Sequence, residues 1–324
     1  MNSVQLTSVQ TKFKLYKKLA FVLLVLWFPF KLKAQAIPGV FIKKISTEIN
    51  YATNDSVKIV KLSELAFYYN DYLGEKRLAD STGQAAIDLA ETTYKPGLQL
   101  LAYNLYIECN DPGANPEKSL RYAQQAIRMS NLINIPKSEW RSYNNLTKVY
   151  LAGYQYDKAL RSSYQALAIA DAIKNDVLKA ESYLLIGQSL EGNNQKIEAF
   201  RNYLNATALA EITNNPGLIK SCYSLLSGFY NYNKLFDKAV VYKLKQLDIL
   251  TKSRPVDSIE LMWARYDLQA ININSNNNKL NVASMQEVLD FAIRKNHTRL
   301  KNYEIALYRS HLIEAEQIGQ LNTL

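Results

Sequence analysis

The chain has 324 residues, 48% of them apolar, enough for a large core, and a formal net charge of +10. That charge is local: residues 1–36 hold six lysines (Lys12, Lys14, Lys17, Lys18, Lys31, Lys33) and no acid, so the rest carries 33 basic against 29 acidic side chains, or +4. With no dense Lys/Arg stripe elsewhere, the high pI does not support nucleic-acid binding. The N-terminal segment reads as a secretory signal: a basic stretch, an apolar run LAFVLLVLWFPF over Leu19–Phe30, then AQA at Ala34–Ala36. The run is short for a spanning helix, which needs about 20 residues. The sequence therefore predicts export, with residues 1–36 either removed or retained as an uncleaved anchor. Residues 37–56 form a lead-in whose apolar stretch VFIKKISTEINYA suits a capping helix, followed by N-cap chemistry at Asn54, Asp55 and Ser56.

From about residue 57 onward the chain repeats itself. An aromatic recurs every 40 residues at Tyr103, Tyr143, Tyr183, Tyr223, Trp263 and Tyr303. Small residues keep the same interval at Thr147, Gly187 and Ser227, and again at Ala159, Ala199 and Ala239. Pro96, Pro136 and Pro216 are in phase as well, at positions suited to the first residue of a helix. The pattern predicts helix pairs over 57–72 and 75–93, then 97–109 and 116–133. Three regular pairs follow to about 253, then a degenerate pair over 257–295 with NINSNNNKLN at its turn. A last first-type helix spans 298–316. That helix is either a cap or a first helix whose partner is not reached within these residues.

Within each period the order is aromatic-x2-apolar-small-x2-aromatic, a break, then alanines: Tyr143, Leu146, Thr147, Tyr150, Ala159, Ala166 in one block, and Tyr183, Ile186, Gly187, Leu190, Ala199, Tyr203, Ala206 in the next. This resembles the tetratricopeptide repeat, whose signature runs Trp-x2-Leu-Gly-x2-Tyr and then Ala-x3-Phe. The resemblance covers roughly residues 57–318 and implies an all-α fold, a right-handed α-solenoid of about six and a half helix pairs. The interval of 40 exceeds the usual 34 residues, and the extra six are expected after the alanine, in the second helix and its connection. Gly187 is expected to sit where two helices approach closely, facing Ala199 or a nearby alanine. Most tyrosines occupy repeat-phase positions and are expected in the core, leaving Tyr154, Tyr156 and Tyr164 off phase.

No catalytic constellation is visible, and no cofactor or metal site is expected: His297 and His311 fit no metal spacing, and no Gly-rich phosphate loop or Gly-x-Ser-x-Gly occurs. Cys109 and Cys222 lie almost three repeats apart, too far for an internal bridge. The chain is read as a non-enzyme, with a protein or peptide as partner and not nucleic acid. The resemblance implies that first helices line a concave groove. Helical spacing from the signature aromatic then selects Asn104 and Glu108; Arg141, Asn144 and Lys148; Glu181, Leu184 and Gln188; and Ser221, Ser224 and Gly228. Some family members clamp a terminal carboxylate with Lys and Asn at such positions, and Arg141, Asn144 and Lys148 have suitable chemistry. An export signal, the opening DSVKIVKLSELAFYY and repeats of this length also resemble the extracytoplasmic sensory region of bacterial tetratricopeptide sensor kinases and regulators. That implies envelope sensing beside a membrane-bound signalling partner. The alternative is an envelope adaptor that assembles other proteins.

Overall fold

The computed structural model describes residues 38–252, 259–275, 282–295 and 297–307, all within one compact unit. The N-terminal signal, the turn at 276–281, His311 and the end of the last helix lie outside the described residues. The lead-in is helix α1 (Pro38–Tyr51). Six helix pairs follow among the described residues: α2 (Asp55–Phe67) with α3 (Lys76–Thr92), α4 (Pro96–Cys109) with α5 (Pro116–Ile133), α6 (Pro136–Ala152) with α7 (Tyr156–Ala172), α8 (Asp176–Gly192) with α9 (Lys196–Ile212), α10 (Pro216–Tyr232) with α11 (Phe236–Lys252), and α12 (Ile259–Asn274) with α13 (Val282–Arg294). Residues 298–307 begin a further first helix. No strand occurs among the described residues.

The caps show why each helix starts and stops where it does. Prolines open α4, α5, α6 and α10, where the missing N–H has no intrahelical partner to lose. Asn54, Asn115, Asn175 and Asn215 stand just before helices, and each side chain accepts from a backbone N–H of the first turn. The helix ends obey the same interval of 40: left-handed residues sit at Tyr94, Asn134, Lys174 and Asn214 after second helices, and at Tyr154, Asn194 and Lys234 after first helices. Asn accepts this conformation readily; Tyr94 and Tyr154 take it at a cost of about 1 kcal/mol each. In the regular region every helix has 17 residues and every connection three. The 24-residue interval from Ala159 to Tyr183, in which the six extra residues are expected, spans the rest of α7, the three-residue connection and the first seven residues of α8.

The core is a ladder of alanines. Ala79, Ala159, Ala199 and Ala239 are fully buried, as are Ala86, Ala126, Ala166 and Ala206 one turn pair further along. Small side chains on the second helices let the first helices press close. Helix α8, in mid-array, is buried on nearly all sides, including Leu178, Leu184, Ile186, Gly187 and Leu190. Gly187 does mark a close approach, but its neighbour is not an alanine. A Cβ there would lie 2.6 Å from Cδ1 of Tyr203, whose ring is fully buried and whose hydroxyl donates to Glu191 at 2.6 Å. The repeat-phase tyrosines follow the expected plan only in part: Tyr103 is buried with its hydroxyl donating to Glu91, Tyr143, Tyr183 and Tyr223 are half-buried, Tyr223 donating to Glu211, and Tyr303 is exposed.

First helices touch their counterparts in the next repeat (α2 on α4, α4 on α6, α6 on α8, α8 on α10), whereas successive second helices have at most marginal contact. The first helices therefore form the inner, concave wall of the solenoid, and the second helices splay around its outside.

Candidate functional site

The residues selected for the groove all lie on first helices, α4, α6, α8 and α10, but they are not equally available. Asn104 and Asn144 are buried, Arg141, Glu181, Gln188 and Ser224 are half-buried, and Lys148 and Ser221 are exposed. Leu184 is buried, while Gly228 opens on free space, with nothing within 4 Å of a notional Cβ.

The centre of the wall is a charged cluster that joins α4, α6 and α8. The Arg141 guanidinium grips Glu108 with two parallel hydrogen bonds, Nε to Oε1 at 2.7 Å and Nη2 to Oε2. Asn145 Nδ2 braces the pair, donating to Glu108 Oε1 and to Asn104 Oδ1, both at 2.9 Å. Burial alone would raise the Glu108 carboxyl; the Arg141 charge and hydrogen bonds, with Lys148 behind them, hold it below the usual carboxylate range. Arg141 is thus already committed to a carboxylate within the chain, so Arg141, Asn144 and Lys148 do not form a set of three free clamp residues. The ion pair keeps about a quarter of each side chain exposed (22% and 24%).

Lys148 and Glu181 behave differently. Burial pushes the Glu181 carboxyl upward and the Lys148 charge pulls it back. Their fields overlap, yet among the described residues neither makes an ion pair within 4 Å. Asn144 Oδ1 is likewise buried without a hydrogen-bond partner. The sequence reading assigned no role to Asn145. It stands 41 residues after Asn104, one position off the groove phase, and only the approach of α4 to α6 reveals its bridging role.

A second polar hollow, of about 220 Å³, lies at the end of the first full pair, lined among others by Arg77, Asp80, Tyr106, Asn110 and Asp111. Most of its charges are satisfied internally. Asp80 accepts from Tyr106 and from Lys118 at 2.8 Å, and Lys76 holds Asp111 at 2.7 Å. No grouping of His, Cys, Asp and Glu suited to a metal ion occurs among the described residues. Cys109 and Cys222 are free thiols, both buried.

No family model matches the chain, and no curated protein matches it. Solved structures do match. A Rap protein complexed with Competence and Sporulation Factor aligns with a TM-score of 0.58 at 15% identity, over 86% of this chain and 80% of that one. Aspartyl phosphate phosphatase F from Bacillus subtilis gives 0.57 at 16% identity, over 90% and 77%. The apo form of the quorum sensor NprR from B. thuringiensis gives 0.55 at 17% identity, over 92% and 81%. At such identities the likeness concerns the fold: a tetratricopeptide-like α-solenoid.

Proposed function

We propose that the protein is an exported, non-catalytic scaffold that holds an extended peptide or a segment of a partner protein in its concave groove, in the service of envelope sensing. The carrying observation is that two opposite charges on successive first helices, the exposed Lys148 on α6 and the half-buried Glu181 on α8, make no ion pair among the described residues. A peptide backbone presents an acceptor and a donor side by side along its length. Its carbonyl suits Lys148 and its N–H suits Glu181, so an extended chain bridges the two where a single ion does not. The Glu108–Arg141 pair beside them gives charge selectivity to the neighbouring ligand side chains. Two of the solved structures with this fold, one described as complexed with Competence and Sporulation Factor and one as the apo form of a quorum sensor, support a signalling ligand by analogy of fold.

Selection of a random peptide library on the purified protein tests the groove. Peptides so obtained are expected to lose at least tenfold in affinity, about 1.4 kcal/mol, on Lys148→Ala or Glu181→Ala. Equal affinity for both variants removes the groove from consideration. Export rests on residues 1–36, whose basic start, apolar run and AQA form a signal. Fusion of these residues to a reporter active only outside the cytoplasm is expected to yield activity, and a silent reporter refutes export.

A further inference from the structure

The two ends of the described solenoid touch. Tyr72, in the π-helical turn Tyr68–Leu73 that continues α2, lies against His297, with ring centroids 5.2 Å apart. Next to it Asp71 meets Arg299 at 3.6 Å, and the Arg299 charge also reaches Asp111. Asp71 and Tyr72 are more than 220 positions from His297 and Arg299 in sequence. The first helix of the seventh period thus arrives beside the first helix of the first, after one circuit of the inner wall. The chain is irregular at this very point: a π-turn, uncommon and often found at functional positions, ends in the left-handed Gly74 and turns Asp71 and Tyr72 toward the contact.

The contact is made in a way that permits release. Asp71–Arg299 is long for an ion pair, and Arg299 is 47% exposed. The arriving helix is tied to the rest of the chain by Leu300, packed with Leu261 and Phe291, and by Arg299 over Trp263. It also carries two groups that fit poorly. His297 is fully buried; its Nδ1 accepts from the backbone N–H of Leu300, while Nε2 has no partner. Glu304, on the inner-wall phase of Asn104 and Asn144, is 1% exposed with both carboxylate oxygens unpartnered. Buried polar atoms without hydrogen bonds disfavour the docked state, so docking balances these losses against the apolar contacts.

We infer that Asp71 and Tyr72 on one side, with His297 and Arg299 on the other, form a reversible latch that closes the solenoid into a single turn and fixes the bore of its groove. A closed and an open ring differ only by this contact and a small cumulative change in pitch, the kind of two-state element that a groove ligand or an acid shift biases.

Paired spin labels test it. Cysteines replacing the exposed Glu75 and Asn302 flank the contact, and the native Cys109 and Cys222 are buried away from the reagent. The unaltered latch is expected to give one narrow, short distance. Arg299→Glu, which sets like charges against Asp71 and Asp111, is expected to abolish that population in favour of a broad, longer one, and Tyr72→Ala to do the same. Adding Asp71→Arg to Arg299→Glu is expected to restore it, with helical circular dichroism unchanged throughout. A broad, long distance in the starting protein overturns the latch, as does a narrow one that neither Arg299→Glu nor Tyr72→Ala disturbs.

Discussion

Replacing Glu304 by leucine is expected to make the docked end of the solenoid more stable at pH 7.5, by about 3 kcal/mol relative to its effect at pH 4. The Glu304 carboxyl is buried without a partner, and desolvation pushes it from its ordinary 4.5 up to about 7. Between those values the docked state holds a proton that the released state has lost. Stability from this group is therefore full below pH 4.5 and is lost as pH rises toward 7. His297 works in the opposite sense. Burial, with the Arg299 charge adding to it, drives its imidazole from 6.5 down to about 4. The docked state refuses a proton that the released state takes, so stability from His297 is full above pH 6.5 and is lost as pH falls toward 4. The neighbours do not cancel either effect: His297 faces the rings of Tyr72 and Trp263, and Glu304 lies near Tyr266 with no basic partner among the described residues. Between about pH 4.5 and 6.5 the two slopes offset each other in the native chain. Glu304→Leu should leave a stability that climbs with pH by about 1.4 kcal/mol per unit, and His297→Gln one that falls by the same amount. Denaturant titrations followed by the fluorescence of Trp263, whose ring lies 5.5 Å from Tyr303, read both curves in a background where the other tryptophans are phenylalanine. Parallel pH profiles for the native chain and both variants exclude this account.

Nothing in the sequence announced that pair. Glu304 has the same phase as Asn104 and Asn144, which makes it a groove residue on periodicity alone. Its burial depends on how α12 and α13 close around the last helix, and the latch depends on the sum of many small rotations between repeats. Such sums are invisible to a pattern that repeats every 40 residues. What the interval did reveal is what each repeat decides for itself: helix spans, the prolines at helix starts, the alanine ladder and, in part, the tyrosines with edge hydroxyls. These are local contacts between neighbours, and in a solenoid local contacts supply most of the fold. The groove shows the same division. Periodicity placed Arg141 and Lys148 on the inner wall, because which face of a helix looks inward is a local property. It could not show that Arg141 is engaged by Glu108 while Lys148 is not, because that turns on side-chain reach between adjacent repeats.

Gly187→Ala is expected to destabilise the protein by about 1–3 kcal/mol, although alanine favours helix over glycine by about 1 kcal/mol. The added methyl group meets the ring of Tyr203, which cannot swing aside: it is fully buried, edge-on to Phe229, and tied through its hydroxyl to Glu191. Gly228, on the next first helix, is the internal control. Nothing lies within 4 Å of its notional Cβ, so Gly228→Ala should raise stability by about 0.5–1 kcal/mol. Two substitutions of the same kind, both in first helices, should therefore shift the melting temperature in opposite directions. The same two positions carry Thr147 and Ser163 in the preceding repeat, where Thr147 hydrogen-bonds Ser162, and Ser227 and Lys243 in the next, where Ser227 donates to the Ala239 carbonyl; of these three repeats, the one with the ring has the glycine. If shared volume governs this contact, Gly187→Thr alone should be more damaging than Gly187→Ala, and Tyr203→Ser alone should leave a cavity. The double variant Gly187→Thr with Tyr203→Ser, which copies the preceding repeat, should recover much of the loss. A double-mutant cycle reads this as a favourable coupling of about 1 kcal/mol or more. Strict additivity would mean that the two side chains do not share the space, and that the glycine serves the backbone alone.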